Sequence, residues 1–190
     1  MNEKKDTGNG FSLVEIIVVI FIIAFFSGAL FANYKQGNNT NKLIIESSIM
    51  ASNIRLAQNN TLGAVKYGTS TPSGGWGVHI DLTSDTQSYF VFANKNYEST
   101  TSPGYLGYNS GEAIIGNGGR VINMDGEVSI ASTSLGDILD ISFVPPDPDT
   151  IIYDGTNDTT SSEAVIMLET KDGISRRIKI NSFGLIETLR

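Results

Sequence analysis

The sequence predicts an α+β fold: a long N-terminal α-helix whose first half is transmembrane, followed by a C-terminal antiparallel β-domain. Three observations carry this. From Ile16 to Tyr34, nineteen consecutive residues carry no charge, and about 20 apolar residues rising about 1.5 Å each cross a hydrocarbon core of about 30 Å. Residues 43–58 repeat apolar positions at helical spacing. After about residue 62 leucine becomes scarce, and aromatic and β-branched runs alternate with Gly, Asn, Asp and Pro, the composition of strands and turns.

Length and charge narrow the function classes. A chain of 190 residues suits one domain plus a membrane segment. The net charge of −7 argues against broad phosphate-backbone binding, so no nucleic-acid partner is expected. Cysteine is absent, which excludes disulfides, thiolate nucleophiles and cysteine-ligated metals. An exported domain of this size does not need a disulfide staple.

Taken in order, Lys4 and Lys5 precede the apolar run and Lys35 follows it. The two leading lysines favour a cytoplasmic N-terminus, although Glu3 and Asp6 neutralise the first residues. Glu15 stands at the mouth of the run. A charge near the centre of hydrocarbon costs about 2.5 kcal/mol or more, so an acid there reads as functional, with a cationic partner in the same apolar environment. Gly28, beside Ser27, either allows close helix packing or marks a weak point where the helix bends. Residues 37–41, Gly-Asn-Asn-Thr-Asn, are either a break or a polar patch on one long helix. Beyond them, Leu43, Met50, Ile54 and Ala57 fall near one helix face.

The remainder reads as strands and turns. Trp76–Leu82 and Ser88–Ala93 are joined by residues 83–86. Ile114–Ile115 and Arg120–Met124 flank Gly116–Gly119, and Asp125-Gly126 signals a hairpin into Glu127–Ala131. Ile138–Val144 ends at Pro145-Pro146. Ala164–Thr170 and Ile174–Ile180 flank Lys171-Asp172-Gly173, the clearest hairpin, and residues 182–184 turn into a last strand, Leu185–Leu189.

Gly10-Phe11-Ser12-Leu13-Val14-Glu15, opening the apolar run, resembles the cleavage and methylation motif of type IV prepilins and type II secretion pseudopilins. The resemblance implies a pilin-like fold in which one long helix, its first half in the membrane, packs its second half on the antiparallel β-domain. It implies four segments: a leader peptide at 1–10, a transmembrane half-helix at 11–34, an amphipathic half-helix at 35–62 and an exported β-rich domain at 63–190. A membrane-embedded prepilin peptidase would cut between Gly10 and Phe11 and methylate the new Phe11 amine. Glycine before the bond bends easily and lets a protease approach. Glu15 would pair with the Phe11 ammonium of a neighbouring subunit, relieving two charges that are each costly in an apolar bundle and setting register. The implied partners are other pilins or pseudopilins, an inner-membrane assembly platform and the membrane. The implied location is the inner membrane, with the N-terminus cytoplasmic and the domain exported, and then a filament in the periplasm or outside the cell. The step Arg55-Leu56-Ala57-Gln58 and the loose order of C-terminal elements resemble the minor, H-type pseudopilin. The chain departs from many pilins in lacking a C-terminal cysteine pair.

Two plainer readings compete. An ordinary signal peptide would be cut near Ser27-Gly28-Ala29, and a plain membrane anchor would not be cut at all. Neither accounts for Glu15. A different class, a membrane-anchored or secreted β-domain with enzymatic or binding activity, predicts full function without the N-terminal segment.

Catalysis finds little support, and no catalytic residue is assigned. His79, the only histidine, alternates with Val78 and Ile80 and reads as a satisfied or exposed strand residue. No serine sits in a Gly-x-Ser-x-Gly turn, and Gly116–Gly119 lacks the spacing of a dinucleotide loop. Asp147, Asp149, Asp154 and Asp158 form the one acidic cluster with enough oxygens to consider calcium, although Asp147-Pro148-Asp149 lacks the EF-hand order and a solvated loop is the plainer reading. No other cofactor is expected. Tyr67, Tyr97, Tyr105 and Tyr108 lie in polar stretches that are either recognition loops or ordinary connections, the latter favoured.

Overall fold

The computed structural model describes residues 10–94, 107–108, 120–146, 149–155 and 160–189. A 50-residue helix, α1 (Leu13–Leu62), opens the chain. Ser12 caps it: the Glu15 amide donates to Ser12 Oγ at 3.2 Å, satisfying one of the orphan donors of the first turn. The chain then divides into two compact units, residues 1–38 and 39–190, and the division falls within α1.

This corrects the expected architecture of a long N-terminal helix, half transmembrane, packed on one β-domain. Only the Asn39–Leu62 portion of α1 is a helix of the β-domain unit. Among the described residues, no helix is long and apolar enough to cross a membrane. Crossing about 30 Å of hydrocarbon takes about 20 predominantly apolar residues in one helix, and the described residues do not supply them in one run. The β-region, in turn, is two antiparallel sheets rather than one.

The domain portion of α1 buries Leu43, Ser47, Met50, Ala51, Ile54, Ala57 and Thr61, a spacing of three and four residues that lines one face. Leu43, Met50, Ile54 and Ala57 are the four residues the sequence places together. The polar patch at residues 37–41 continues as helix and does not break it.

The first sheet contains β1 (Trp76–Asp81), β2 (Ser88–Ala93), β3 (Arg120–Asn123), β5 (Ile138–Val144) and β6 (Asp149–Tyr153), in the order β3-β2-β1-β5-β6. The second contains β4 (Val128–Thr133), β7 (Glu163–Thr170), β8 (Ser175–Asn181) and β9 (Ile186–Leu189), in the order β4-β7-β8-β9. Strand alternation decides the faces. In β7, Ala164, Ile166, Leu168 and Thr170 are buried while the intervening residues are less so.

The C-terminal end of α1's domain portion is fastened to both sheets. Thr61 Oγ1 donates toward the Phe143 carbonyl at 3.0 Å and accepts from the Trp76 amide at 2.9 Å. Arg55 donates to the Ile186 carbonyl at 2.9 Å and Gln58 to the Gly184 carbonyl at 3.2 Å. The Arg-Leu-Ala-Gln step thus clamps the last turn and β9 onto the helix, with Ala57 buried between the two donors.

Two strand expectations need correction. Asp125-Gly126 does not close a hairpin: β3 pairs with β2, whereas β4 pairs with β7. The turn instead carries the chain from one sheet to the other, and α1 holds it there through Lys42 Nζ to Asp125 Oδ1 at 3.0 Å and the Asp125 amide to Glu46 Oε1 at 3.1 Å. The Glu127 amide and then Lys42 hold the Asp125 carboxyl below its ordinary value. The stretch between Pro146 and residue 160 is not simply an acidic loop, because Thr150-Ile151-Ile152-Tyr153 pairs with β5. The Lys171-Asp172-Gly173 hairpin joins β7 and β8 as expected, with Gly173 at φ 80° where a side chain would be strained. Ile114–Gly119 lie outside the described residues.

Two stability measurements test this packing. Ile54→Ala is expected to cost about 2–5 kcal/mol in urea unfolding, while Ile45→Ala on the exposed helix side costs about 0.5 kcal/mol or less. The second concerns Asp81, whose carboxyl is lowered from 3.8 chiefly by the Ser84 and Thr83 hydroxyls. A carboxyl lowered on folding contributes stability above its unfolded value and loses it as pH falls through the folded one. Asp81→Asn should therefore lose less stability than the parent on acidification below about pH 4.

Candidate functional site

The residues of the prepilin-like motif lie together at the start of α1. Gly10, Phe11 and Ser12 precede the helix in non-helical, exposed backbone. Phe11 is 80% exposed, and a Cβ on Gly10 would meet nothing within 4 Å. Packing within this chain therefore gives no reason for glycine at position 10. Glu15 is exposed and shares one side of the helix start with Phe11, Ile16, Val19 and Ile20, around an open depression of about 350 Å³. The surface of this depression is entirely apolar.

One feature of this segment escaped the motif reading. Ser12-Leu13-Val14-Glu15 has capping-box spacing, with serine at the cap and glutamate three residues on. A carboxylate in the first turn also faces the positive end of the helix dipole. Glu15 consequently has a local reason to be acidic, independent of any partner, and the S-x-x-E pattern was legible in the sequence. The capping does not explain why the following turns are apolar on every side: Val14, Ile16, Ile17, Val18, Ile20 and Phe21 are all at least half exposed.

Of the four aspartates of the acidic cluster, Asp149 and Asp154 are among the described residues, and these two are not brought together. Asp149 opens β6 and Asp154 follows its end, so five residues of extended chain separate their Cα atoms by about 17 Å, too far to share one ion. Asp147 and Asp158 lie outside the described residues. Among the described residues, no group of three or more His, Cys, Asp or Glu is placed to hold a metal.

His79 is the satisfied strand histidine expected from its setting, and its partner was not foreseen. It lies directly across from Asp140 on β5 and Phe90 on β2. His79 Nδ1 and Asp140 Oδ1 are 2.5 Å apart, and both residues are buried. Tyr108 closes over them: its amide donates to Asp140 Oδ2 at 3.0 Å, and its ring lies 4.5 Å from His79, 4.7 Å from Phe90 and 5.8 Å from Phe92. Gly107 runs so close to the Asp140 carboxylate and the Tyr153 ring that a side chain there would collide. No serine, cysteine or threonine nucleophile is hydrogen-bonded to His79 among the described residues. The pair sits beneath an aromatic lid and reads as the fastening of that lid, not as an exposed base.

Two of the four tyrosines, Tyr67 and Tyr108, are among the described residues. Tyr67 is buried edge-on against Trp76 at 6.4 Å, and Tyr108 serves the lid. Tyr97 and Tyr105 lie outside the described residues. No family model matches the chain, and no curated protein or solved structure matches it either.

Removing one member of a buried polar pair strands the other. Asp140→Ala is expected to destabilise the domain by about 3 kcal/mol in chemical denaturation, and to release Tyr108, read as loss of near-ultraviolet circular dichroism.

Proposed function

We propose that this chain is a structural subunit of a pilin-class filament, a type IV pilus or a type II secretion pseudopilus, released by cleavage between Gly10 and Phe11 and assembled through its N-terminal segment. The observation that carries the reading is the Gly10–Glu15 motif opening a helix start whose apolar side chains have no cover. Cleavage needs an accessible, non-helical bond. Gly10–Phe11 is exposed and lies before the Ser12 cap, so the cut removes no turn of α1. Glycine at 10, unneeded by this chain's own packing, suits close approach by a peptidase.

After cleavage the new amine belongs to Phe11, one turn before Glu15. N-methylation keeps that amine cationic while reducing its hydration. In an assembled filament the Phe11 ammonium of one subunit meets the Glu15 carboxylate of its neighbour, and the exposed faces from Phe11 to Leu30 cover one another. An apolar surface gains about 25 cal/mol per Å² on burial, so the segment supplies affinity and the charge pair supplies register. A slip of one turn would strand both charges, which is the stronger part of the argument.

The partners in this reading are a prepilin peptidase, further pilins or pseudopilins and an assembly platform at the inner membrane. Within the class, the minor H-type pseudopilin is the finer assignment, supported by the Arg55–Gln58 step and the absence of a cysteine pair. No catalytic role is assigned.

Peptide mass spectrometry of the protein from its native membrane tests the reading. The expected mature chain starts at Phe11 with one added methyl group; a start at Leu30, or an uncut Met1, rejects it. Glu15→Gln is expected to leave cleavage and domain stability unchanged while reducing incorporation into filaments at least about tenfold, the loss of one charge-assisted pair.

A further inference from the structure

We propose that the inner face of the second sheet holds a binding site for a carboxylate carried on an aliphatic group, with Arg176 as its counter-ion. The site is a cavity of about 320 Å³ between the first turns of α1's domain portion and the start of β8, lined by Thr40, Leu43, Ile44, Ile174, Ser175 and Arg176. Strand alternation puts Arg176 on the same face as Ile178 and Ile180, and its register partner on β7 is Leu168; all three of these neighbours are fully buried. This is a position where the pattern calls for an aliphatic residue.

A guanidinium nitrogen withdrawn from water ordinarily finds an acceptor. Arg176 is half-buried on this face. Its Nε is buried without a hydrogen-bond partner, and no carboxylate pairs with it among the described residues. Three carboxylates of the adjoining turns have partners of their own: Asp125 with Lys42, Glu127 with Lys171 and Asp172 with Asn39. Arg177 is exposed on the opposite face, so the two arginines do not form one basic patch.

The lining names the ligand. The planar guanidinium matches a carboxylate through two parallel donors. Leu43, Ile44 and Ile174 line the same cavity with apolar side chains, together with Thr40 and Ser175. A phosphate or sulfate would press charged oxygens against those apolar side chains, whereas an aliphatic acid presents one charged end and one apolar end. The volume is at the small end of ligand pockets. Two sources share this chemistry, a free short-chain acid and the C-terminal residue of a peptide. The site stands independently of the filament reading.

The full-length protein in nonionic detergent is titrated with butyrate, with N-acetyl-leucyl-isoleucine and with the C-terminal amide of that dipeptide, following the methyl resonances of Leu43, Ile44 and Ile174. Saturable shifts confined to these methyls are expected with at least one of the two acids, and the tighter acid identifies the source. The amide on the parent protein, and either acid on Arg176→Gln, should bind about tenfold more weakly, as expected for loss of a charge-assisted pair. Absence of a saturable shift with both acids overturns the proposal. So does an amide that binds as well as its acid, a comparison that needs no variant and survives a misfolded Arg176→Gln.

Discussion

Seven buried residues of α1, from Leu43 to Thr61, form the surface on which the rest of the domain depends. Each sheet has an apolar inner face that must be covered: Val78, Ile80, Leu139, Ile141 and Phe143 in the first, Ile130, Ile166, Leu168, Ile178 and Ile180 in the second. The helix serves both, and the residues of both sheets join it in a single core cluster. Its polar residues decide where each sheet attaches. Asn53 donates to the Tyr89 hydroxyl at 2.8 Å on the first sheet, whereas Arg55 and Gln58 reach backbone carbonyls at the end of the second. Thr61 has its hydroxyl between the helix, β1 and β5, so the helix cannot rotate without losing bonds to both strands.

Departures from the apolar pattern fall into two kinds, and the difference separates structural from functional polarity. On the outer face of the first sheet, His79 and Asp140 satisfy each other and are roofed by Tyr108, with Phe90 and Phe92 around them. Every strong polar atom named there has a partner, so the arrangement explains itself as a fastening. On the inner face of the second sheet, Arg176 breaks the same alternation, and its Nε, like the buried hydroxyls of Ser142 and Thr150 in the first sheet, has no hydrogen-bond partner among the described residues. Arg176 also lines a cavity, and a broken local rule at a cavity points outward, to a ligand.

Much of this fold was legible in the sequence. The hairpin at Lys171–Gly173, the helical face of Leu43, Met50, Ile54 and Ala57, and the strands Ser88–Ala93 and Ile138–Val144 follow from period and turn chemistry, which are local. What was missed is non-local. Asp125-Gly126 carries a hairpin signature, yet the residues after it pair with β7, some 40 positions away; turn propensity specifies a reversal and not the partner strand. Thr150–Tyr153 was obscured by the flanking aspartates, although its four residues have high strand propensity. The transmembrane reading rested on composition over nineteen residues, and no helix among the described residues is long and apolar enough to cross a membrane. The motif residues Gly10, Phe11 and Glu15 were legible as a set, but the capping role of Ser12 shows that one carboxylate can answer to two demands.

Among the described residues, no member of the core cluster precedes Leu43. The apolar side chains from Phe11 to Leu30 therefore contribute nothing to the interior of the domain, and the domain does not require them to close. Uncovered apolar surface promotes association, and the proposed filament contact is a cover for it supplied from outside the chain. That cover must tolerate, or answer, a negative charge. A purely hydrocarbon surface would leave Glu15 as a penalty, whereas a neighbouring subunit with a cationic N-terminus turns the same charge into a register mark. The filament reading is preferred because it gives the carboxylate and the apolar surface one common explanation.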